Sequence, residues 1–385
     1  MQLLRRGDSG RAVVEVRTAL RQFKLLPAPR AGVVEDQFDA AVEDAVRAFQ
    51  QDRGLITDGI VGAATYRALR EAGWTLGDRM LALLISAPMS GDDVMTLQER
   101  LLELGFDPGR PGGVFDERTE SALRKFQREY GLVADGTCGP LTLRSLKQLG
   151  RKVTGGRPHL LREQELLRQA GPRMRGKRIV IDPGHGGMDR GVSVNGVHEA
   201  DLMWDLARRI VGRMTATGME AMLSRREDTC PAEAERAAFA NNAGADLVLS
   251  LHTDANHSMH AQGLATYHFG NGSGATSTVG EALGGLIQRE LLTRTGMLDC
   301  RTQARTWELL RLTRMPAVRV EVGYLTHIGD KRKLLDPDFR DVVAEGVLVG
   351  VKRLYLLGQD DQPTGTFTFS DVLARELERG GAQAI

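Results

Sequence analysis

The C-terminal half alternates short β-branched runs with amphipathic stretches, and its most constraining member is IVIDPGHGG, Ile179 to Gly187. Ile179, Val180 and Ile181 are consecutive β-branched residues, and Pro183, Gly184, Gly186 and Gly187 follow at once. The pattern predicts a buried strand running into a tight, exposed turn. Open α/β sheets bind ligands beyond the carboxyl ends of their strands, and His185 stands at such an end. Taken alone, the turn is compatible with a metal ligand, a phosphate cradle or simple chain reversal.

Partners further along narrow this choice. Glu199 opens EADLMWDLARRIVGRM, in which Leu202, Leu206 and Ile210 recur at helical spacing. His252 follows a second apolar run that starts at Ala245, and Glu321 closes a third that starts at Ala317. Strand ends and a helix start therefore converge two imidazoles and two carboxylates. Two His and one Glu with an open fourth position form a catalytic zinc shell. A further carboxylate, free to act on a bound water, is what hydrolysis requires. Strands are expected at 178–182, 219–224, 246–251, 264–269 and 317–320, and helices at 200–217, 232–243, 277–294 and 339–356. That alternation predicts an α/β domain whose mostly parallel sheet is flanked by helices. His257 and His260 are expected to be solvated in a polar loop. His198 is expected to point away from Glu199, and Trp204 to lie in the core.

These residues carry a resemblance. DPGHGGMDRG, the helix-opening Glu199, SRREDT, SLHTDAN and PAVRVEVGY are similar, in this order, to the zinc-dependent N-acetylmuramoyl-L-alanine amidases of type 3, over about 177–355. The resemblance implies that His185, Glu199 and His252 hold Zn2+ and that Glu321 is the catalytic carboxylate. It also implies cleavage of the amide joining muramic acid to the first L-alanine of the peptidoglycan stem. Arg225 and Asp228 are then positioning groups around the cleft. The sequence departs from the family pattern at Thr253-Asp254 and at His327, where the family usually has Asn. Arg319 interrupts an otherwise apolar strand, so one face of that strand is expected to meet solvent or a carboxylate.

The N-terminal part repeats itself. FDAAVEDAVRAFQQDRGLITDGIVGAATYRAL, from Phe38, recurs as FDERTESALRKFQREYGLVADGTCGPLTLRSL, from Phe115. Phe49, Asp58, Gly62 and Thr65 match Phe126, Asp135, Gly139 and Thr142 at one common spacing. A longer spacing upstream places a four-residue insertion around 27–34 in the first copy. Each copy reads as a small all-α bundle of three short helices, the first marked by Val13/Val16/Leu20, Ala45/Ala48/Phe49 and Thr65/Leu69. Phe49 and Phe126 are expected in the cores. The units resemble the peptidoglycan-binding type 1 domain, which implies peptidoglycan or its muropeptide fragments as partner. The expected organisation is repeats at 1–75 and 88–150, a linker at 151–175, the amidase domain at 176–357 and a tail at 358–385.

A formal net charge of +1 argues against a nucleic-acid binder acting through bulk charge. No run approaches the ~18 apolar residues of a membrane helix. Cys138, Cys230 and Cys300 form no CxxC pair and offer no disulfide framework. The first residues hold no continuous apolar segment like a signal peptide. A cytoplasmic location is therefore expected, with non-classical export to the wall as the alternative.

The whole arrangement also resembles an actinobacterial branch in which the amidase scaffold regulates wall-precursor synthesis. That implies an alternative role, with a cell-wall synthesis enzyme and a phosphothreonine-binding protein as partners. In the tail, 358–363 is polar and turn-prone. Thr364, Thr366 and Thr368 alternate with Gly365, Phe367 and Phe369 and are candidate phosphorylation sites. Ser370 is expected to cap a short helix through Leu373 and Leu377.

Overall fold

The computed structural model describes residues 3–28, 35–84, 88–148, 158–169, 171–271, 275–356 and 364–381. The chain divides into two compact units, Met1–Arg162 with Asn271–Ala275, and Glu163–Gly270 with Thr276–Ile385.

The first unit holds both repeats as helix triplets: α1 (Arg11–Gln22), α2 (Ala40–Asp52), α3 (Ala63–Glu71), then α4 (Asp92–Glu103), α5 (Glu117–Glu129) and α6 (Pro140–Gln148). Each triplet encloses its own core, Val13, Val16, Leu20, Val42 and Phe49 in one, Val94, Leu97, Leu123 and Phe126 in the other. Ala48, expected to face inward, is exposed, while Val46 is buried on the core-facing side of α2. The repeated polar letters have a structural use. The Gln50 amide nitrogen donates to Asp58 Oδ1, the Ile60 carbonyl and Thr65 Oγ1, while its oxygen accepts the Gly59 N–H. Gln127 does the same with Asp135, Thr137, Thr142 and Gly136. A buried amide with every valence met fixes the turn between two helices and specifies one packing. Of the expected insertion, residues 29–34 lie outside the described residues, as do 149–150 at the end of the second repeat and 151–157 and 170 of the expected linker.

Helix α7 (Pro158–Gln169) precedes the α/β domain. Its sheet consists of β1 (Arg178–Pro183), β4 (Glu220–Leu223), β5 (Leu247–Asp254), β6 (Leu264–Phe269), β7 (Asp299–Arg305) and β8 (Ala317–Tyr324), ordered β4-β1-β5-β8-β6-β7. Strands β4, β1, β5 and β8 run parallel, while β6 is antiparallel to β8. A small hairpin, β2 (Ser193–Val194) and β3 (Val197–His198), leads into α8 (Glu199–Ala216). The other helices are α9 (Glu233–Asn242), α10 (Thr278–Thr295), α11 (Glu308–Leu312), α12 (Ile328–Leu335), α13 (Pro337–Tyr355) and α14 (Phe369–Gly381).

Alternation along the strands decides the two faces of the sheet. Ile179, Ile181, Leu247, Leu249, Leu251, Val318, Val320 and Val322 pack with Leu206, Ile210, Ile287, Leu291, Val347 and Val351 of α8, α10 and α13. The intervening residues Asp182, Ser250, His252, Arg319, Glu321 and Tyr267 therefore share the opposite face. The functional residues are thus the second reading frame of strands whose first frame builds the core.

The tail folds back on this domain. Phe367 is buried, with the Lys352 ammonium 3.1 Å from its ring centre, and Arg294 donates to its carbonyl. The cap of α14 is Thr368, not Ser370: the Asp371 N–H donates to Thr368 Oγ1 at 3.2 Å, and the Thr368 N–H donates to Asp371 Oδ2 at 2.9 Å. Thr364, Thr366 and Thr368 are exposed. The polar stretch 358–363 lies outside the described residues.

Candidate metal centre

β1 delivers the turn that carries His185. Asp182, at its buried end, accepts hydrogen bonds from Ser224, from Ser250 at 2.7 Å and from Arg236 Nη1 at 2.9 Å. Burial alone would raise this carboxyl's pKa. The Arg236 charge and the three hydrogen bonds outweigh burial and hold it below the usual carboxylate range. Arg236 also donates to the carbonyls of Pro183 and His185, each at 2.8 Å. Arg225 donates to the carbonyls of Pro183, at 2.8 Å, and Gly184, at 3.1 Å. Trp204, expected in the core, instead lies over Arg225, 5.2 Å from its guanidinium. Two buried arginines thus hold three successive carbonyls. His185 has a φ of 57°, a left-handed conformation that costs on the order of 1 kcal/mol or more and persists only where its surroundings fix it.

The His185 Nδ1 is 2.8 Å from Asp189 Oδ2, which turns Nε2 toward Glu199, 3.3 Å from Oε2. Glu199 is 1% exposed at the first turn of α8, where the helix dipole favours a negative charge. Its Oε2 accepts the Val192 N–H at 3.0 Å. Its Oε1 accepts the Thr253 N–H at 3.0 Å and lies 3.0 Å from His252 Nδ1. Ligand atoms of His185, Glu199 and His252 all fall within 4.8 Å of one another. Two glycines make this approach possible. A Cβ at Gly184 would come within 2.3 Å of the His252 ring, and one at Gly191, whose φ is +63°, within 2.5 Å of His185.

The donor set suits zinc: two imidazoles and a carboxylate, with a carboxylate behind one imidazole to fix its orientation. Burial, and next the Arg319 charge, push the His252 pKa down to about 4, so this imidazole is neutral at ordinary pH. His185 shifts the other way, because its hydrogen bond to Glu199 outweighs burial and Asp189 adds to it. Burial opposes ionisation of Glu199, but hydrogen bonds from both histidines hold it well below the usual range. Below the raised His185 pKa, a metal has to displace a proton from this imidazole. Zinc affinity is expected to fall as pH drops through the raised His185 pKa and to level off above it. Calorimetry in buffers of different ionisation heat should read about one proton released per zinc below that pKa and none well above it. Release that does not vary with pH would refute this.

Glu321 lies on β8 directly opposite His252 of β5. Arg319, two residues earlier on the same face, donates from Nε to Glu321 Oε1 at 3.1 Å, and its Nη2 lies 3.0 Å from the same oxygen. The face of β8 that departs from the apolar pattern thus meets a carboxylate, that of Glu321 itself. Burial raises the Glu321 pKa, with Arg319 opposing. His257 and His260 are exposed. His198 pairs with Ser193 Oγ at 2.9 Å. At the start of α12, His327 Nδ1 accepts the Asp330 N–H at 3.2 Å, so it does the capping work of an Asn. Asp189, Asp182, Arg236, Tyr267 and Trp307 were not singled out by sequence.

A mostly parallel sheet and the start of α8 together gather two imidazoles and a carboxylate that could hold a metal ion, with a second carboxylate alongside, as hydrolysis requires. The chain belongs to the N-acetylmuramoyl-L-alanine amidase family, whose profile matches residues 179–353. A peptidoglycan binding domain profile matches 9–69 and 90–146. N-acetylmuramoyl-L-alanine amidase CwlM of Mycobacterium tuberculosis is 53% identical, spanning 98% of this chain and 96% of its own. N-acetylmuramoyl-L-alanine amidase LytC of Bacillus subtilis is 33% identical over 47% of this chain and 36% of its own. A solved N-acetylmuramoyl-L-alanine amidase from Clostridium difficile 630 is 28% identical, covers 48% of this chain and 99% of its own, and has a TM-score of 0.45. Among the described residues no helix is long and apolar enough to cross a membrane.

Proposed function

We propose that this chain hydrolyses the amide between N-acetylmuramic acid and L-alanine in peptidoglycan, with zinc held by His185, Glu199 and His252 and with Glu321 as the catalytic carboxylate. The observation that carries the reading is the convergence of those three ligand atoms within 4.8 Å, beside a buried glutamate on the adjoining strand. Bound zinc would supply Lewis acidity, polarising the scissile carbonyl and acidifying the attacking water. The chain's own residues do the remainder. Glu321 takes the proton of the attacking water and passes it to the departing alanine nitrogen, acting first as base and then as acid. Its burial suits the first half of that task, because a raised pKa makes the carboxylate a better base. The two N-terminal repeats supply a second, non-catalytic contact with the same polymer.

The direct test is digestion of wall sacculi with and without a zinc chelator. New L-alanine amino termini are expected only when zinc is present. Zinc uptake without any release of such termini would overturn the hydrolase reading.

A further inference from the structure

Glu321 and His252 face each other across neighbouring strands, whose backbones lie about 4.8 Å apart. Both side chains are on the site face of the sheet, yet Glu321 is not part of the cluster formed by His185, Glu199 and His252. A buried carboxylate on the strand beside a cation site is a ready fourth ligand unless something else holds it. With two imidazoles and two carboxylates the shell would close, and closed four-ligand shells are structural, not catalytic.

What holds Glu321 aside is visible. Arg319 Nε donates to Glu321 Oε1 at 3.1 Å, Nη2 of the same guanidinium lies 3.0 Å from that oxygen, and Tyr267 also hydrogen-bonds the carboxylate. The guanidinium is itself seated, 4.3 Å from the ring centre of Trp307. Trp307 packs in turn on Tyr267, with ring centres 4.6 Å apart, and Tyr267 is the partner of Arg319 across the β6–β8 ladder. A planar guanidinium on an aromatic face loses little freedom when it binds a carboxylate, which makes this an effective competitor for Glu321.

We propose that Arg319, seated on Trp307, is a positioning residue that keeps the Glu321 carboxylate out of the metal's ligand set and so preserves it as a base. The inference rests on the zinc reading given above. It has a sign that ordinary structural damage lacks. Loss of a residue that merely supports a metal centre weakens metal binding, by about 10–100-fold. Loss of Arg319 removes the charged partner of a buried carboxylate, leaving Tyr267 as its neutral one, so the carboxylate turns to the metal and affinity rises.

The test uses the full chain and zinc itself, titrated against a chromogenic chelator, with Co2+ absorption as the second readout. Arg319→Met is expected to bind zinc more tightly than the parent, to alter the visible Co2+ bands and to lose turnover. Arg319→Lys, which keeps the charge but not the paired donors, should fall between. Glu321→Gln and Arg319→Met/Glu321→Gln should bind zinc equally, because the gain requires the freed carboxylate. The double variant also leaves no lone buried charge, so it stays informative if Arg319→Met folds poorly. Unchanged or weaker affinity in Arg319→Met and Arg319→Lys, or a gain that persists in the double variant, overturns the positioning role alone. A parent chain that takes up no zinc overturns the metal-centre reading and this inference with it.

Discussion

Glu321→Gln is expected to lower muropeptide turnover by at least about a thousandfold, within the range that general acid–base catalysis contributes, while the chain still takes up zinc. His185→Ala and His252→Ala should lose the metal itself. The distinction follows from where each group sits. The three ligand atoms are mutually within 4.8 Å, and the Glu199 carboxylate spans both imidazoles. Glu321 instead has its Oε1 held by Arg319. The amide variant preserves the shape of that side chain but cannot accept the water's proton, so turnover fails at the chemical step and not at binding. Metal content by mass spectrometry, read beside the rate of L-alanine terminus formation, separates the two effects. Equal metal loss in all three variants would make Glu321 a ligand.

His185, His252 and Glu321 were legible because each stands where an apolar run stops, and Glu199 because it stands where a helical period begins. An imidazole after IVIDPG or after LVLSL has no packing reason to be there, and that mismatch is a readable signal. Side chains that hold the ligands in place leave no such trace. Arg236 lies within AERAAFANN, a stretch whose spacing suits any partly exposed helix, yet its guanidinium is buried against β1. Asp189 looks like one more turn residue until the chain folds its carboxylate onto His185. Strand β7, DCRTQAR, was missed for a related reason. It is an edge strand paired only with β6 among the described strands, and its side chains are not buried, so it carries no apolar alternation to detect. In the repeats the opposite holds. The repeated Asp and Thr letters are plain as a repeat, but their use, to satisfy Gln50 and Gln127, shows only in the geometry.

Arg236→Met should cost about 3–5 kcal/mol of stability, the scale for removing one partner of a buried ion pair, and should weaken zinc binding by about 10–100-fold. Arg236 and Asp182 are 4% and 2% exposed and 2.9 Å apart. The substitution strands the Asp182 carboxylate with only its two serine donors. It also strips a donor from the carbonyls of both Pro183 and His185, and His185 then has less to hold it at positive φ. The pH dependence has a definite sign. Asp182 is depressed in the folded state, so its contribution is fully present above the unfolded aspartate pKa of about 3.9 and is lost as pH falls through the lower folded value. That acid-side loss should shrink in Arg236→Met. Arg236→Met combined with Asp182→Asn should recover part of the stability, since no unpaired charge remains, but not the zinc affinity, since the turn is still unclamped. Denaturant unfolding and zinc competition on the same preparations read both quantities. Recovery of affinity together with stability would mean that Arg236 acts only through the charge of Asp182. The carbonyl bonds to the His185 turn would then be incidental to metal binding.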